Sequence, residues 1–258
     1  MIRITVAALM VAGLVPVLHA QEPFKWQGKL AAGKTIEIKN INGDVRATGS
    51  SGSDVTVTAR KSARKSNPDD VEIRVVQHDE GVTICAVYPS RKNKPANDCA
   101  PGSHGHNDSD NNDVEVDFDV SVPKGVRFVG RSVNGSVSAE SIGADAEGYT
   151  VNGDVRVTAS GVVEASTVNG SIVATMGRSD WTNELEFNTV NGSVTLTFPG
   201  DLNTELEVKT VNGSIDSDFP ITISGKVTPQ SLRGRVGQGG RDLSIETVNG
   251  SIRLRKRG

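Results

Sequence analysis

Aromatic residues are scarce in this sequence: six Phe, two Trp and two Tyr make up 4% of 258 residues. A sugar-stacking platform or a ring-rich contact face therefore has little to be built from. Cysteine is scarcer still, with only Cys85 and Cys99 and no Cys-x-x-Cys spacing, which removes the usual thiol redox and zinc ligand sets. Charge of one sign is missing too. With 28 Lys+Arg against 31 Asp+Glu the net charge is −3, so nothing pulls the chain toward nucleic acid. Beyond the first twenty residues no uncharged run approaches the ~20 residues of a membrane span. No stretch shows a helical period, and there is no nucleophile elbow, zinc-helix motif or phosphate loop.

What is abundant is one short phrase. Aliphatic-Asn-Gly-(Ser or Asp)-aliphatic recurs at Asn42-Gly43, Asn134-Gly135, Asn152-Gly153, Asn169-Gly170, Asn191-Gly192, Asn212-Gly213 and Asn249-Gly250. Successive Asn residues lie 92, 18, 17, 22, 21 and 37 positions apart. A period near twenty marks units that cannot bury their apolar faces alone and must stack. Asn-Gly is also the strongest hairpin signal. In a two-residue hairpin, however, Val168 would face Ser171 and Thr167 would face Ile172, an apolar–polar mismatch repeated in all seven copies. A corner that points both Val168 and Ile172 inward removes the mismatch. The expected fold is all-β, a right-handed parallel β-solenoid with Asn-Gly corners every 17–22 residues. Stacked Asn amides should form a ladder in a water-poor corner. On that picture Asn191→Ala costs on the order of 1–3 kcal/mol, and Asn203→Ala, between corners, is a neutral control.

Met1–Ala20 carries Arg3, then the uncharged run Ile4–Leu18, then Leu18-His19-Ala20, the make-up of a secretory signal peptide. Residue 21 is Gln, not the Cys of a lipid anchor. Residues 21–258 should then be one β-solenoid domain, irregular and loop-rich over 21–123 and regular over 124–258, with no membrane span after cleavage. In an exported chain, Cys85 and Cys99 read as one disulfide. Phe24 and Trp26 lie in a segment expected to cover the open end of the first coil. Strands are expected at Thr35–Lys39, Asp44–Ala47, Asp54–Ala59, Val71–Gln77, Val82–Val87 and Asp113–Val122.

Two stretches invite a metal. Asp113, Glu115, Asp117 and Asp119 share one strand face below Asp108 and Asp110, but lack the spacing and Gly of a calcium loop. They read instead as a solvated face paired with Arg60, Lys61, Arg64, Lys65 or Arg91, Lys92, Lys94. His104 and His106 sit in a Gly/Asn/Asp/Ser tract expected to be a mobile loop. No metal, cofactor or catalytic residue is assigned. Arg253, Arg255, Lys256 and Arg257 read as a charged tail blunting a last edge strand.

The early Ile41-Asn42-Gly43-Asp44-Val45, the serial Thr-Val-Asn-Gly-Ser-Ile, Asp218-Phe219-Pro220 and Arg235-Val-Gly-Gln-Gly-Gly240 together resemble the adhesin-like proteins of the DUF4097 type, over essentially the whole mature chain. The resemblance implies a parallel β-solenoid and supplies no catalytic residues. The expected function is a non-enzymatic cell-envelope or surface protein in the periplasm or outside the cell, acting as an adhesin or scaffold. Its expected partners are envelope or surface glycans or proteins, or a second copy of itself, and not nucleic acid. The alternative is a carbohydrate-active β-helix enzyme, lyase- or hydrolase-like.

Overall fold

The computed structural model describes residues 22–104, 106–224 and 228–258; the proposed signal peptide lies outside them. The chain is built of strands. In order these are β1 (Phe24–Gly28), β2 (Thr35–Lys39), β3 (Val45–Ser50), β4 (Val55–Ser62), β5 (Glu72–His78), β6 (Gly81–Val87) and β7 (Glu115–Pro123). The regular part follows as β8 (Arg127–Arg131), β9 (Val137–Ile142), β10 (Ala146–Tyr149), β11 (Val155–Ala159), β12 (Val163–Ser166), β13 (Ile172–Met176), β14 (Leu185–Asn188) and β15 (Val194–Phe198). The last are β16 (Thr204–Lys209), β17 (Ile215–Ser217), β18 (Ile221–Ile223), β19 (Ser231–Val236), β20 (Arg241–Glu246) and β21 (Ile252–Lys256). One 3-10 turn, Pro68–Asp70, is capped by the Asn67 side chain.

These strands form two sheets. The first runs β1-β4-β7-β3-β9-β11-β13-β15-β21-β17 and the second β18-β19-β16-β20-β14-β12-β10-β8-β2-β6-β5. Each Asn-Gly corner carries the chain from the second sheet to the first, so seven coils share one corner line. Pairing between coils is parallel and in step, Val155 against Ile172 and Ile172 against Val194. That is the expected solenoid.

Alternation does the rest. Val155, Val157, Ile172, Ala174, Val194 and Leu196 face inward from one sheet; Phe128, Ala146, Val163, Ala165, Leu185 and Phe187 face them from the other, all buried. Each large one contributes roughly 1.5–3 kcal/mol on leaving water. Gly130 and Gly148 thin the core where a Cβ would strike Val137 and Val155. Three aromatics meet toward the far end, Trp181 and Phe219 each packing on Phe198 at 6.2 and 6.4 Å.

Two expectations of order fail. The coils do not stack in chain order: Asn191 is bridged to Asn249, and Asn212 lies beyond Asn249 at the end of the line. The last coil, β20–β21, has slid between its two predecessors. Therefore β21, carrying Arg253, Arg255 and Lys256, pairs on both sides and is no edge strand; Arg255 is engaged by Asp216 and Asp218. At the other end the expected cover is present: β1 closes the first sheet, with Phe24 and Trp26 packed against the core. β1 pairs antiparallel with β4, and both β4 and β7 lie between it and β3.

Candidate functional site: the corner line and the strapped face

Each regular corner reads (Thr or Ser)-Val-Asn-Gly-(Ser or Asp)-aliphatic, and each position does a different job. The Thr points in. Thr167, Thr189 and Thr247 are buried, and their hydroxyls donate to the carbonyls of Gly153, Gly170 and Gly192 in the neighbouring coil, all at 2.9 Å. Thr150 and Thr210 do the same to Gly135 and Gly250, and Ser132 to Gly43. The residue after it points out: Val168 and Val190 are each 40% exposed, whereas Ile172 and Val194 are buried. The expectation that both Val168 and Ile172 turn inward is thus wrong. The buried polar carbonyl selects Thr for the inside, because an unpaired buried acceptor is costly.

The Asn amides form a one-way ladder. Nδ2 of Asn134 donates to Oδ1 of Asn42 at 2.9 Å, and Asn152, Asn169, Asn191, Asn249 and Asn212 each continue it at 2.7–2.8 Å. Contrary to the water-poor corner expected, these residues are exposed, save the half-buried Asn42. Water competes for every rung, so the ladder is worth less than the buried Thr bonds beside it. Thr189→Val should cost about 1–3 kcal/mol and Asn191→Ala no more than about 1 kcal/mol, measured by denaturant midpoints. Asn203 is no neutral control: its side chain accepts from Gln238 N at 2.7 Å and donates to the Asp201 carbonyl at 2.8 Å. Exposed Asn183 is the better reference.

The outward result of this pattern is an apolar row. Val133, Val151, Val168, Val190, Val248 and Val211 stand exposed one above another, from 37% at Val133 to 62% at Val211. Toward Val211 the row forms one wall of a shallow groove that Asn188, Lys209, Gln230 and Glu246 share. Ile41, the equivalent residue in the first coil, is only 5% exposed.

Ile41 is covered because the described residues of the long polar tract, 90–104 and 106–112, fold back over the second sheet as a strap. Cys85 and Cys99 are bonded, with Cα atoms 5.7 Å apart. The ammonium of Lys39 donates to the carbonyls of Ala100, Gly102 and His104 at 2.8, 3.0 and 2.7 Å; burial lowers its pKa, opposed by Glu37. Glu37, itself buried, accepts from Gly102 N, Thr83 Oγ1 and Arg131 Nε. Gly102, Ser103 and Asn107 then line a small cleft with Ile41 and Val133. The tract expected to be mobile is held at both ends. His104 contributes its carbonyl, and His106 its backbone to Asp98. Reducing the disulfide opens a loop of about 15 residues and should cost about 3 kcal/mol. Melts with and without reductant measure this; unchanged midpoints would show that Lys39 and Glu37 hold the strap alone.

The acidic strand is spent on structure. Asp119 pairs with Arg60, Asp117 accepts from Asp44 N and lies 3.8 Å from Arg46, and Asp113 caps the N–H groups of Arg64, Lys65 and Ser66. Among the described residues, no three His, Cys, Asp or Glu side chains gather as a metal would need.

Sequence reasoning missed a second cluster, on the outer face beyond the strap. Register places Glu147 beside Glu164 and Tyr149 beside Arg131. Tyr149 OH lies 3.0 Å from Glu147 and 2.7 Å from Glu164, and the Arg131 guanidinium sits 4.2 Å over its ring. A phenol has one proton to give, so the two carboxylates compete for it. Burial raises the Glu147 pKa, Tyr149 works against the rise, the Glu164 charge adds to it, and Arg127 and Arg131 oppose it. A raised folded-state pKa means stability that is complete below the ordinary glutamate range and lost as pH climbs through the raised value. Glu147→Gln should therefore gain relative to wild type between pH 4 and pH 7.5. A difference in melting temperature that stays flat across that range would refute the burial argument. No signal in the sequence pointed here, since Glu147 and Tyr149 look like any outward strand positions.

The family match agrees with this architecture. A family model described as Toastrack DUF4097 matches residues 108–255, more than half of the chain but not the N-terminal part that the resemblance also took in. No curated protein matches in sequence. A crystal structure of a "putative cell adhesion protein" from Clostridium sporogenes ATCC 15579 aligns at 14% identity and TM-score 0.45, over 92% of this chain and 100% of that one. A "putative adhesin" from Bacteroides fragilis NCTC 9343 aligns at 13% identity and TM-score 0.32, over 92% and 98%. With its Asn-Gly corner line and the family match across every corner from Asn134 to Asn249, the chain belongs to the Toastrack DUF4097 family.

Proposed function

We propose that this protein is a non-enzymatic, exported scaffold or adhesin of the cell envelope or surface, whose single domain from residue 21 onward presents the corner line to a partner. The carrying observation is the valine row, six exposed apolar side chains in register beside a shallow polar-rimmed groove. Soluble proteins rarely leave apolar side chains contiguous without using them. Envelope or surface glycans and proteins suit such a repeating face, because contact is spread over coils and not focused in one pocket. The disulfide fits an oxidising compartment outside the cytosol, in line with a leader at 1–20. Titratable groups on the outer faces of the sheets are committed to each other: Glu37 to Arg131, Asp119 to Arg60, Glu147 and Glu164 to Tyr149.

Incubation with a panel of envelope and plant polysaccharides tests the reading. Retention on one polymer or on cells, weakened by Val168→Ser/Val190→Ser/Val248→Ser, is the expected result. New reducing or unsaturated ends would instead make the protein a carbohydrate-active enzyme.

A further inference from the structure

The stack is unfinished at one end, and the unfinished end fits a second copy of itself. In the six inner coils the corner Gly N–H donates to the next coil's Asn carbonyl, from Gly43 to Asn134 through to Gly250 to Asn212, at 2.8–3.0 Å. The following aliphatic N–H does likewise, from Val45 to Ser136 through to Ile252 to Ser214. In the outermost coil, Gly213 and Ile215 hold the same positions, β17 pairs only with β21, and among the described residues nothing accepts from Gly213 N. Nor does a described donor reach Oδ1 of Asn212, although each other Asn Oδ1 in the line accepts an amide.

The two sheets also end unevenly here. The first stops at β17, while the second continues past β16 with two more strands, β19 and then β18. That is an overhang of roughly 10 Å at ~4.8 Å per strand. Val236 of the overhang is buried, but its other inward apolar positions are poorly covered: Ile223 is 51% exposed and Ile221 and Leu232 are only half-buried, as is Ile215 on β17. At the opposite end, Phe24, Trp26, Ile73 and Val75 are likewise half-buried against the core, but none is exposed as Ile223 is.

We propose that two copies join through these ends as a lap joint, the overhang of each filling the deficit of the other. A two-fold axis along the strand direction exchanges the two sheets and sets β18 of one copy beside β17 of its partner. Strand sense permits it. β16 runs toward the corner line, β19 is antiparallel to it and β18 antiparallel to β19, so β18 also runs toward the corner; β17 runs away. The new pair is antiparallel, and each joint continues one copy's first sheet into the other's second. Charges agree: the row leaving Arg253 and Asp216 meets Thr222 and then Arg235 and Glu205, with no like pair opposed. Because the same patch serves both partners, assembly closes at two and no filament follows.

This rests on the scaffold reading for its biological sense, but the two are tested apart, since mass and exchange measurements need no polymer. Sedimentation of the purified protein at about 100 μM should give a two-chain mass, in the range of a modest strand-edge interface. Ile223→Asp, at an exposed position, should weaken the dimer about tenfold or more while leaving the melting midpoint of the monomer unchanged. Hydrogen exchange should show the Gly213 and Ile215 amides slow in the dimer and fast in Ile223→Asp. A monomer at that concentration overturns the proposal. So does a dimer that survives Ile223→Asp with those two amides still fast, which would place association on the valine row, and so does open-ended polymerisation. Protection appearing only when another protein is added would mean that a foreign strand fills the gap.

Discussion

Gly192→Ala should destabilise the protein by about 4 kcal/mol or more, far beyond an ordinary surface substitution. A Cβ at that position would lie 1.9 Å from the carbonyl oxygen of Gly170. Backbone, not a swinging side chain, is in the way. The carbonyl cannot retreat, because it accepts the buried Thr189 hydroxyl and its coil is bonded through Gly170 N to Asn191. The stack must therefore open at that level, parting the Asn rung and both sheets together. Overpacking that a core could absorb for about 1–3 kcal/mol has no such outlet here. The same contact recurs at Gly135, Gly153, Gly170, Gly250 and Gly213, each 1.9–2.3 Å from the Gly carbonyl of the adjacent coil. Gly52→Ala is the control: its Cβ meets nothing nearer than 3.7 Å, so its midpoint should move by no more than about 0.5 kcal/mol. Similar midpoints for the two variants would mean that the coils are not in contact at the corner.

That result also separates what the sequence shows from what it hides. The repeated Asn-Gly is legible, and so is the solenoid, but the reason for the Gly is not. A turn needs positive φ, yet in the corner line only Gly43, Gly135 and Gly153 have it; the requirement common to the line is room for a neighbour's carbonyl, which a single chain read in order cannot display. Parity likewise chose corners over hairpins from a premise the structure corrects, since Thr167 and not Val168 turns inward. The Thr, or once Ser132, before every regular Val-Asn-Gly was the available signal. The strap was half legible: the two Cys marked its anchor, whereas Lys39 and Glu37, outward positions of an ordinary strand, gave no hint that carbonyls would close over them. Stack order was not legible at all. Seven near-identical corners can be stacked in many orders, and the selection lies in long-range pairing.

The inserted coil carries the other large effect. Removing residues 241–258 should release β16–β19 from the stack while leaving the coils from β2 to β13 folded. β20 is bonded to both β14 and β16, and β21 to both β15 and β17, so their loss opens a gap inside both sheets. Leu243, Ile245, Ile252 and Leu254 are all buried there, and four such side chains represent roughly 6–12 kcal/mol, as much as a typical domain's whole stability. The outer coil could in principle drop into the gap, since Asn212 carries the same corner as Asn249. Charge opposes this. Ser244 now separates Glu186 from Glu207, and direct docking in the same register would set those two carboxylates side by side, a destabilising cross-strand pair. Because repeats melt by neighbourhood and not all at once, hydrogen exchange on the truncated chain should find β9 and β11 amides protected and β16–β19 amides fast. Adding a peptide of residues 241–258 should restore protection to the latter. If β16 and β17 stay protected without the peptide, the outer coil has closed the gap, and chain order in this stack is set by what is available and not by the pairing seen here.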